Sequence, residues 1–449
     1  MQFITDLVAN INGLLWNSLL LILLCGTGFY FTLRLKFVQV TKFGAAFKSV
    51  FGSISLKGEK AGDDGMSSFQ SLATAIAAQV GTGNLAGAAT AIASGGPGAI
   101  FWMWLSAFFG MATIFAEATV AQQYKTTVDG KVTGGPSYYI KGAFKGAFGK
   151  ILAGIFAVLI VLALGFFGNM VQSNSIGDAF NTAFGITPLV TGIVLAIIAA
   201  FIFLGGVTRI ASFAEKVVPI MALLYIIGAV VVLGMNVSFI APAFKAIFVG
   251  AFNPQAIAGG VLGVTVQKAI RFGVARGLFS NEAGMGSTPH AHAVAKVNHP
   301  CDQGLVAMMG VFIDTFIVLT LTALVVVIFG LKNGFELTGI ALTQAAFADA
   351  FGTFGNIFVA VCLLFFAFTT IIGWYFFGEA NVRYLFGKTG VLVYSVIVLG
   401  FIVLGSCLKV GLVWDLSDMF NGLMVIPNLI ALVALSGGIA KCYNDYKNK

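Results

Sequence analysis

A glycine-interrupted stretch inside an apolar segment is the first candidate for ion chemistry in this chain. The stretch runs Gln79-Val-Gly-Thr-Gly-Asn84. Each glycine inside a helix costs about 1 kcal/mol relative to alanine, so the pattern predicts a broken helix. The break would free carbonyl oxygens that suit a sodium ion, and N–H groups at a helix N-terminus that suit a carboxylate. Close helix packing through small residues is the alternative explanation of the same glycines.

The pattern returns in the second half of the chain. Asn84-Leu-Ala-Gly87 is followed 197 residues later by Asn281-Glu-Ala-Gly284. The next apolar segment of each half carries one lone acid, Glu117 and Asp314, and these are also 197 residues apart. Duplicated, glycine-interrupted segments are typical of the binding sites of secondary transporters. Chance repetition of a short motif of common residues is the alternative.

Several other side chains could take part in ion or proton chemistry. Thr369 and Thr370 could complete a sodium site, although a membrane threonine more often bonds to the carbonyl one turn before it. Glu117 and Asp314 are either ionisable groups with a function or structural partners at helix contacts. We expect the histidines to lie at a solvated helix end, and the five scattered cysteines indicate neither a disulfide framework nor a zinc site. The histidines are His290, His292 and His299.

The composition requires that these residues sit in a membrane. Of 449 residues, 59% are hydrophobic and only 9% are charged, against about 25% charged in a soluble domain. The mean hydropathy is +0.97. Apolar runs of about 20 residues predict transmembrane helices rather than barrel strands. We therefore predict an all-α membrane protein with eleven transmembrane helices, at approximately 13–33, 67–94, 98–123, 150–173, 187–205, 209–235, 257–297 (broken), 302–330, 354–380, 391–408 and 415–437.

The net charge of +8 is explained by loop charges, and no nucleic-acid partner is expected. Nineteen Lys and Arg residues fall in loops on one side of the predicted helices, and three fall on the other. By the positive-inside rule, the N-terminus is predicted outside and the C-terminus in the cytoplasm of a cell-membrane protein. The three outer residues are Lys245, Lys332 and Lys409, while Lys268, Arg271 and Arg276 lie within the seventh span.

The spans divide into one N-terminal helix and two sets of five. Because five is odd, the second set would enter the membrane from the opposite side, which makes an inverted repeat with two broken helices. The predicted divisions are 1–66 (first helix and cytoplasmic loop), 67–236 (first repeat) and 237–449 (second repeat). The sequence has no GxxxxGK, HExxH or GxSxG motif. ATP-driven transport and membrane hydrolysis therefore lack support, and an enzyme is not expected.

Four segments of the sequence resemble motifs of a known family. The residues 95–110, Gly-Gly-Pro-Gly-Ala-Ile-Phe-Trp-Met-Trp-Leu-Ser-Ala-Phe-Phe-Gly, resemble the signature of the sodium:alanine (alanine or glycine:cation) symporters at all sixteen positions. The segments 134–140, 280–287 and 418–427 look like the same family, so the resemblance covers nearly the whole chain. It implies the inverted five-plus-five fold of the bacterial leucine transporter. It also implies sodium-coupled symport of alanine and glycine by alternating access.

The resemblance also implies a site. Gly81-Thr82-Gly83-Asn84 is similar to the Gly-x-Gly-Asn of the leucine transporter, although Thr369-Thr370 stands where that transporter has Thr-Ser. The implied sodium ligands are the carbonyls of Ala77 and Val80 with Thr369 and Thr370. The implied substrate residues are Gln79, Gly81, Thr82, Gly83 and Trp374, extended by extrapolation to Asn169, Met170, Phe272 and Gly273. Proton coupling through Glu117 or Asp314 is the alternative mechanism, and a channel or membrane-embedded enzyme is a third, disfavoured class.

Overall fold

A computed structural model describes residues 2–52, 65–128, 130–253, 265–408 and 410–448, and these are almost entirely helical. The first half contains α1 (Gln2–Leu14), α2 (Leu20–Arg34), α3 (Val38–Thr41), α4 (Phe43–Phe51), α5 (Ser68–Gln79), α6 (Ala88–Gly95), α7 (Ala99–Gln123), α8 (Pro136–Ala143), α9 (Gly146–Ile160), α10 (Asn169–Phe184), α11 (Pro188–Phe203) and α12 (Gly206–Met235).

The second half continues the helical pattern without interruption by a soluble domain among its described residues. Its helices are α13 (Val237–Phe252), α14 (Val266–Asn281), α15 (Pro289–Ala293), α16 (Pro300–Val311), α17 (Thr320–Asn333), α18 (Gly339–Phe351), α19 (Thr353–Cys407), α20 (Val410–Ala434) and α21 (Ser436–Lys447). In the described ranges, four π-helical segments precede α2, α6, α10 and α17, at Leu15–Leu19, Gly83–Gly87, Val161–Gly168 and Phe312–Leu319.

The helices have the length and composition of an integral membrane protein. Within the described ranges, seven are long and apolar enough to cross a bilayer, and α11 and α13 are shorter apolar helices. Large apolar side chains such as Phe201 and Ile220, both 66% exposed, face outwards, as expected of a lipid-facing surface. The longest helix, α19, turns at Gly387 (φ 66°), between the predicted spans 354–380 and 391–408. The count of eleven spans and the inverted repeat remain predictions.

Both predicted breaks are present. A capping box between Ser67 and Gln70 starts α5, which ends at Gln79, and helical structure resumes at Gly83. The second broken helix ends α14 at Asn281 and resumes as α15 at Pro289. Glu282, Gly284 and Gly286 between them have positive φ angles of 57°, 91° and 82°. Glycine reaches these angles without strain, so the duplicated motif is where the backbone can turn.

One feature differs from the sequence predictions. The strands β1 (Thr126–Val128) and β2 (Lys131–Thr133) form a short antiparallel hairpin among otherwise helical described elements, since β-branched residues favour strands. The predicted broken span 257–297 contains α14, which begins at Val266. The predicted residues 257–264, like 53–64 of the predicted cytoplasmic loop, lie outside the described residues.

Candidate cation and substrate site

Oxygen atoms converge at the end of α5. The Thr370 hydroxyl of α19 lies 2.9 Å from the Ala77 carbonyl oxygen and 3.5 Å from that of Val80. It also lies 3.0 Å from the carbonyl oxygen of Phe366, one turn earlier in its own helix. The last carbonyls of a broken helix lack intrahelical donors, and hard cations take oxygen ligands. The structure thus brings three of the four predicted sodium ligands together.

The fourth predicted ligand, Thr369, points elsewhere. Its hydroxyl lies 2.9 Å from the Phe366 oxygen and 3.5 Å from the Met221 sulfur of α12. Successive side chains of an α-helix point about 100° apart, so only one of two adjacent threonines can face α5 directly. The Phe366 carbonyl lies near both hydroxyls and is a candidate ligand that the sequence analysis did not name. Its only signal was its position, three residues before Thr369.

The N–H groups at the break donate to side chains. Gly81 N–H donates to Asn84 Oδ1 over 3.0 Å. The Thr82 N–H and hydroxyl both donate to Gln172 Oε1 of α10, over 3.0 and 2.7 Å. Gln172 is fully buried, and within the described chain its Nε2 has no hydrogen-bond partner. Gln172 was not predicted as a site residue, although the polar run 172–175 in an otherwise apolar span was an available signal.

The two broken helices touch each other at the candidate site. A Cβ on Gly83 would lie only 3.0 Å from Ser280 Cα, so the two backbones pack closely and glycine is required there. Gln79 Nε2 donates to the Asn281 carbonyl oxygen over 2.8 Å. Gly83 and Gln79, both predicted substrate residues, therefore join one break to the other. Because the two breaks are in contact, a movement of one broken helix requires the other to move as well.

The acid Asp314 braces the first break. Its carboxylate accepts hydrogen bonds from Asn84 Nδ2 (2.7 Å), Ser280 Oγ (3.0 Å) and Thr315 Oγ1 (2.8 Å). Asp314 is fully buried. A buried carboxylate is costly unless hydrogen bonds satisfy it, and here they come from both broken helices.

Glu117 braces the second break in the same way. Its two oxygens accept hydrogen bonds from the Gly284 and Gly286 N–H groups, over 2.9 and 3.0 Å, and from Asn428 Nδ2 over 2.6 Å. Each acid therefore contacts the broken helix of the other half of the chain. Of the two roles that the sequence left open, the contacts favour structural partners, with backbone and amide donors.

Trp374 is hydrogen-bonded to a residue of the second break. Its indole N–H donates to the carboxylate of Glu282, and Ser287 donates to the same side chain. The ring of Trp374 packs edge-on against Phe279, with centroids 5.6 Å apart. Glu282 is fully buried and was missed by the sequence analysis, although an acid within an apolar segment was a signal.

The four extrapolated residues make contacts with other parts of the helices. Asn169 donates to the Gly165 carbonyl of its own helix over 3.1 Å. Met170 packs against Gly405 of α19. Phe272 is half-buried beside Arg271, and Gly273 packs against the Ala99 carbonyl of α7. Ser280, the residue of α14 that touches Gly83, is two helical turns beyond Gly273.

A cavity of about 550 Å³ lies beyond the first break. Its floor includes Arg276, which forms a bidentate ion pair with Asp418 of α20 at 2.7–2.8 Å and lies under the Trp414 ring. Five of the described helices line the cavity, each with at least one side chain. They are α6 (Thr90), α10 (Asn174), α14 (Arg276), α18 (Gln344) and α20 (Trp414).

The other end of the broken helices is packed shut by polar contacts. Gln303 Nε2 lies 2.9 Å from Ser71 Oγ and 2.7 Å from His292 Nδ1. Ser71 Oγ in turn donates to the Ala291 carbonyl oxygen over 2.9 Å. Among the described residues, a cavity thus lies on one side of the breaks, and polar contacts fill the other side.

The predicted solvated position of the histidines is wrong for two of the three. His290 and His292 are 2% and 0% exposed, because α15 folds back into the protein after the second break. His290 lies between the rings of Phe156 and Phe377 and is hydrogen-bonded to Asn381.

The sequence profile of the sodium:alanine symporter family matches residues 1–449. The chain belongs to the sodium:alanine symporter family. The sodium/alanine symporter AgcS of Methanococcus maripaludis is 45% identical over 455 residues, which cover 100% of this chain and 98% of AgcS. The probable sodium/glutamine symporter GlnT of Bacillus subtilis is 42% identical over 446 residues, 99% of this chain and 91% of GlnT. The resemblance stated from the motifs is confirmed, and the protein is a transporter rather than an enzyme.

A solved structure has the same fold. The crystal structure of MhsT in complex with L-phenylalanine superposes with a TM-score of 0.61, covering 86% of this chain and 93% of MhsT at 14% identity. At this identity the likeness concerns the fold alone.

Proposed function

We propose that this family member couples sodium entry to the uptake of alanine and glycine by alternating access. The observation that carries the proposal is the convergence of the Ala77, Val80 and Phe366 carbonyls on the Thr370 hydroxyl. These are ligands of the kind a sodium ion needs, at the end of a broken helix. The membership of the sodium:alanine symporter family and the similarity to AgcS support the choice of ion and substrate.

The substrate carboxylate would bind at the same break. The N–H groups of Gly81 and Thr82 start a half-helix whose dipole favours a negative charge. In the present arrangement the side-chain oxygens of Asn84 and Gln172 accept these hydrogen bonds. We propose that the substrate carboxylate takes the place of the Gln172 oxygen. The unpartnered Gln172 amide would then donate to that carboxylate.

Alternating access would exchange the open and closed ends of the broken helices. In the proposed eleven-span, inverted-repeat arrangement, the cavity beyond α6 faces the outside and the Gln303–Ser71 contacts close the cytoplasmic side. The two acids fasten each broken helix to the opposite repeat, so the pair of breaks would move as one body. The Arg276–Asp418 pair would separate the cavity from the substrate.

Uptake assays in proteoliposomes test this function. Labelled alanine should accumulate when sodium is present outside and not when choline replaces it at the same pH. Unlabelled glycine should compete with alanine. Equal uptake in choline would refute sodium coupling.

The proton-coupled alternative assigns Glu117 or Asp314 as the proton carrier. Each carboxylate accepts hydrogen bonds from three residues, an arrangement that fits a structural partner of the breaks. We therefore prefer a structural role for both acids over a role as proton carrier. Alanine uptake that follows a pH gradient in choline buffer would instead favour the proton carrier.

The size of the accepted side chain is a further prediction. The indole ring of Trp374 packs between Phe279 and Gly168. A Cβ added at Gly168 would lie only 2.5 Å from this ring. The proposed pocket beside Trp374 therefore leaves little room for a long substrate side chain. We expect leucine to compete poorly for alanine uptake in the wild type and effectively in Trp374→Ala. Trp374→Phe, which keeps an aromatic ring but loses the bond to Glu282, is the matched control and should stay selective. Strong leucine competition in the wild type would disprove the tight pocket.

The orientation of the chain is tested by labelling. In a Cys407→Ser background, Asn333→Cys and Lys131→Cys place thiols at exposed positions on the two proposed sides. An impermeant maleimide should label Asn333→Cys in intact cells and Lys131→Cys only after permeabilisation. The reverse result would overturn the N-out, C-in orientation.

A further inference from the structure

Three side chains of types that bind metals meet where the C-terminal helix α21 packs against the start of α16. His299 precedes α16, Cys301 lies in its first turn, and Cys442 lies on α21, 141 residues after Cys301. One ligand atom from each side chain lies within 4.8 Å of the others. This cluster cannot be recognised from spacing, because Cys442 lies 141 residues after Cys301.

We propose that His299, Cys301 and Cys442 bind one zinc ion, which fastens the C-terminal helix α21 to the start of α16.

The separation of the sulfur atoms fits zinc. The Cys301 and Cys442 sulfurs lie 3.8 Å apart. Two thiolates on a tetrahedral zinc ion, each about 2.3 Å from the metal, lie about 3.8 Å apart. A disulfide instead requires a separation of about 2.05 Å, so the sulfurs would have to move much closer. Thiolate and imidazole ligands together select zinc over the hard cations magnesium and calcium.

The imidazole is already in a suitable state. His299 Nδ1 accepts a hydrogen bond from the Cys301 N–H over 3.1 Å, so this nitrogen is unprotonated and its lone pair points towards Cys301. The ring also lies against Tyr446, with centroids 5.0 Å apart, which restricts its rotation. The metal would take over the lone pair that now caps the helix. A water molecule would fill the fourth position of the tetrahedron.

The start of α16 partly offsets the cost of a buried thiolate. Cys301 is the second residue of α16, where the positive end of the helix dipole stabilises a negative charge, and a bound zinc ion would neutralise the thiolates. Cys301 and Cys442 are 0% and 8% exposed, so the site excludes bulk solvent. Asp302 accepts a hydrogen bond from the His299 backbone N–H over 3.0 Å and so holds the ligand-bearing turn in place.

Zinc binding would restrain a helix that reaches the candidate site. The helix that begins at Pro300 continues to Asp314, which contacts Asn84 and Ser280 at the two breaks. Fixing its start to α21 therefore limits how far it can move. The expected consequence is a protein that is more stable to heat when zinc is bound.

Binding to the purified full-length protein tests the proposal. Titration with zinc alone, followed by calorimetry and by metal analysis after gel filtration, should give one ion per chain and a raised melting temperature. Magnesium and calcium should produce neither effect. Cobalt, as a spectroscopic probe, should give a thiolate-to-metal charge-transfer band.

Three variants decide the outcome. Cys301→Ser and Cys442→Ser should each weaken zinc binding at least tenfold and abolish the cobalt–thiolate band. Cys407→Ser, which removes an exposed cysteine elsewhere, should bind zinc as the wild type does. Alanine uptake without zinc checks that each variant is folded. Unchanged zinc binding in Cys442→Ser, or no binding by the wild type, would overturn the proposal and leave a hydrogen-bonded thiol pair.

Discussion

Replacing Gly81 with alanine is expected to abolish sodium-driven alanine uptake. The new Cβ would lie 2.3 Å from Thr370 Oγ1 and 3.1 Å from Gln172 Oε1. It would therefore push apart the oxygens proposed for sodium and the side chain beside the proposed carboxylate position. Overpacking a dense interior costs about 1–3 kcal/mol, and here the displaced atoms are the proposed ligands themselves. Initial rates of labelled alanine uptake at saturating sodium measure the effect.

Gly87→Ala is the matched control in the same broken helix. A Cβ at Gly87 has only the Thr82 carbonyl oxygen within 4 Å, at 3.8 Å, which is an ordinary contact. This variant should keep most of the wild-type uptake. Similar losses in both variants would show that general disruption of the helix, and not the space around Gly81, controls activity.

Removing the Thr370 hydroxyl should raise the sodium concentration needed for half-maximal uptake by about tenfold or more, which equals at least about 1.4 kcal/mol. Thr370→Ala leaves the Ala77 and Val80 carbonyls without their nearest side-chain oxygen. A hard cation in that position would lose one ligand. Sodium titration of alanine uptake gives the value directly.

Thr370→Ser keeps the hydroxyl and should restore sodium activation to near the wild-type value. Thr369→Ala should have the smaller effect of the two alanine variants, because its hydroxyl faces Met221 rather than α5. An unchanged sodium dependence in Thr370→Ala would remove this position from the ion site. A larger effect at Thr369 than at Thr370 would mean that the hydroxyls exchange roles during transport.

The sequence predicted the parts of the site that depend on the backbone. The glycines at 81 and 83 predicted a break, and the structure places it there, because a helix weakened twice in three residues ends easily. The repeat at Asn281 located the second break, where glycines at 284 and 286 adopt positive φ angles. Membrane class and family followed from composition and motifs.

The site residues that were not predicted are those whose position depends on how the helices pack against each other. Gln172 is 90 residues from Thr82, and only the packing of α10 on the break shows that they meet. Ser280, the residue of α14 that touches Gly83, was not named, since spacing alone does not fix the depth of a helix. The roles of Glu117 and Asp314 stayed open because their partners belong to the opposite half of the chain.

Sodium movement driven by alanine is the most direct measurement of the proposed coupling. Proteoliposomes with labelled sodium at equal concentration and pH on both sides are given an inward alanine gradient as the only driving force, with the membrane potential clamped at zero. We expect labelled sodium to accumulate inside together with alanine, and Thr370→Ala to reduce both fluxes. Alanine entry that acidifies the vesicle interior without accumulating sodium would contradict it.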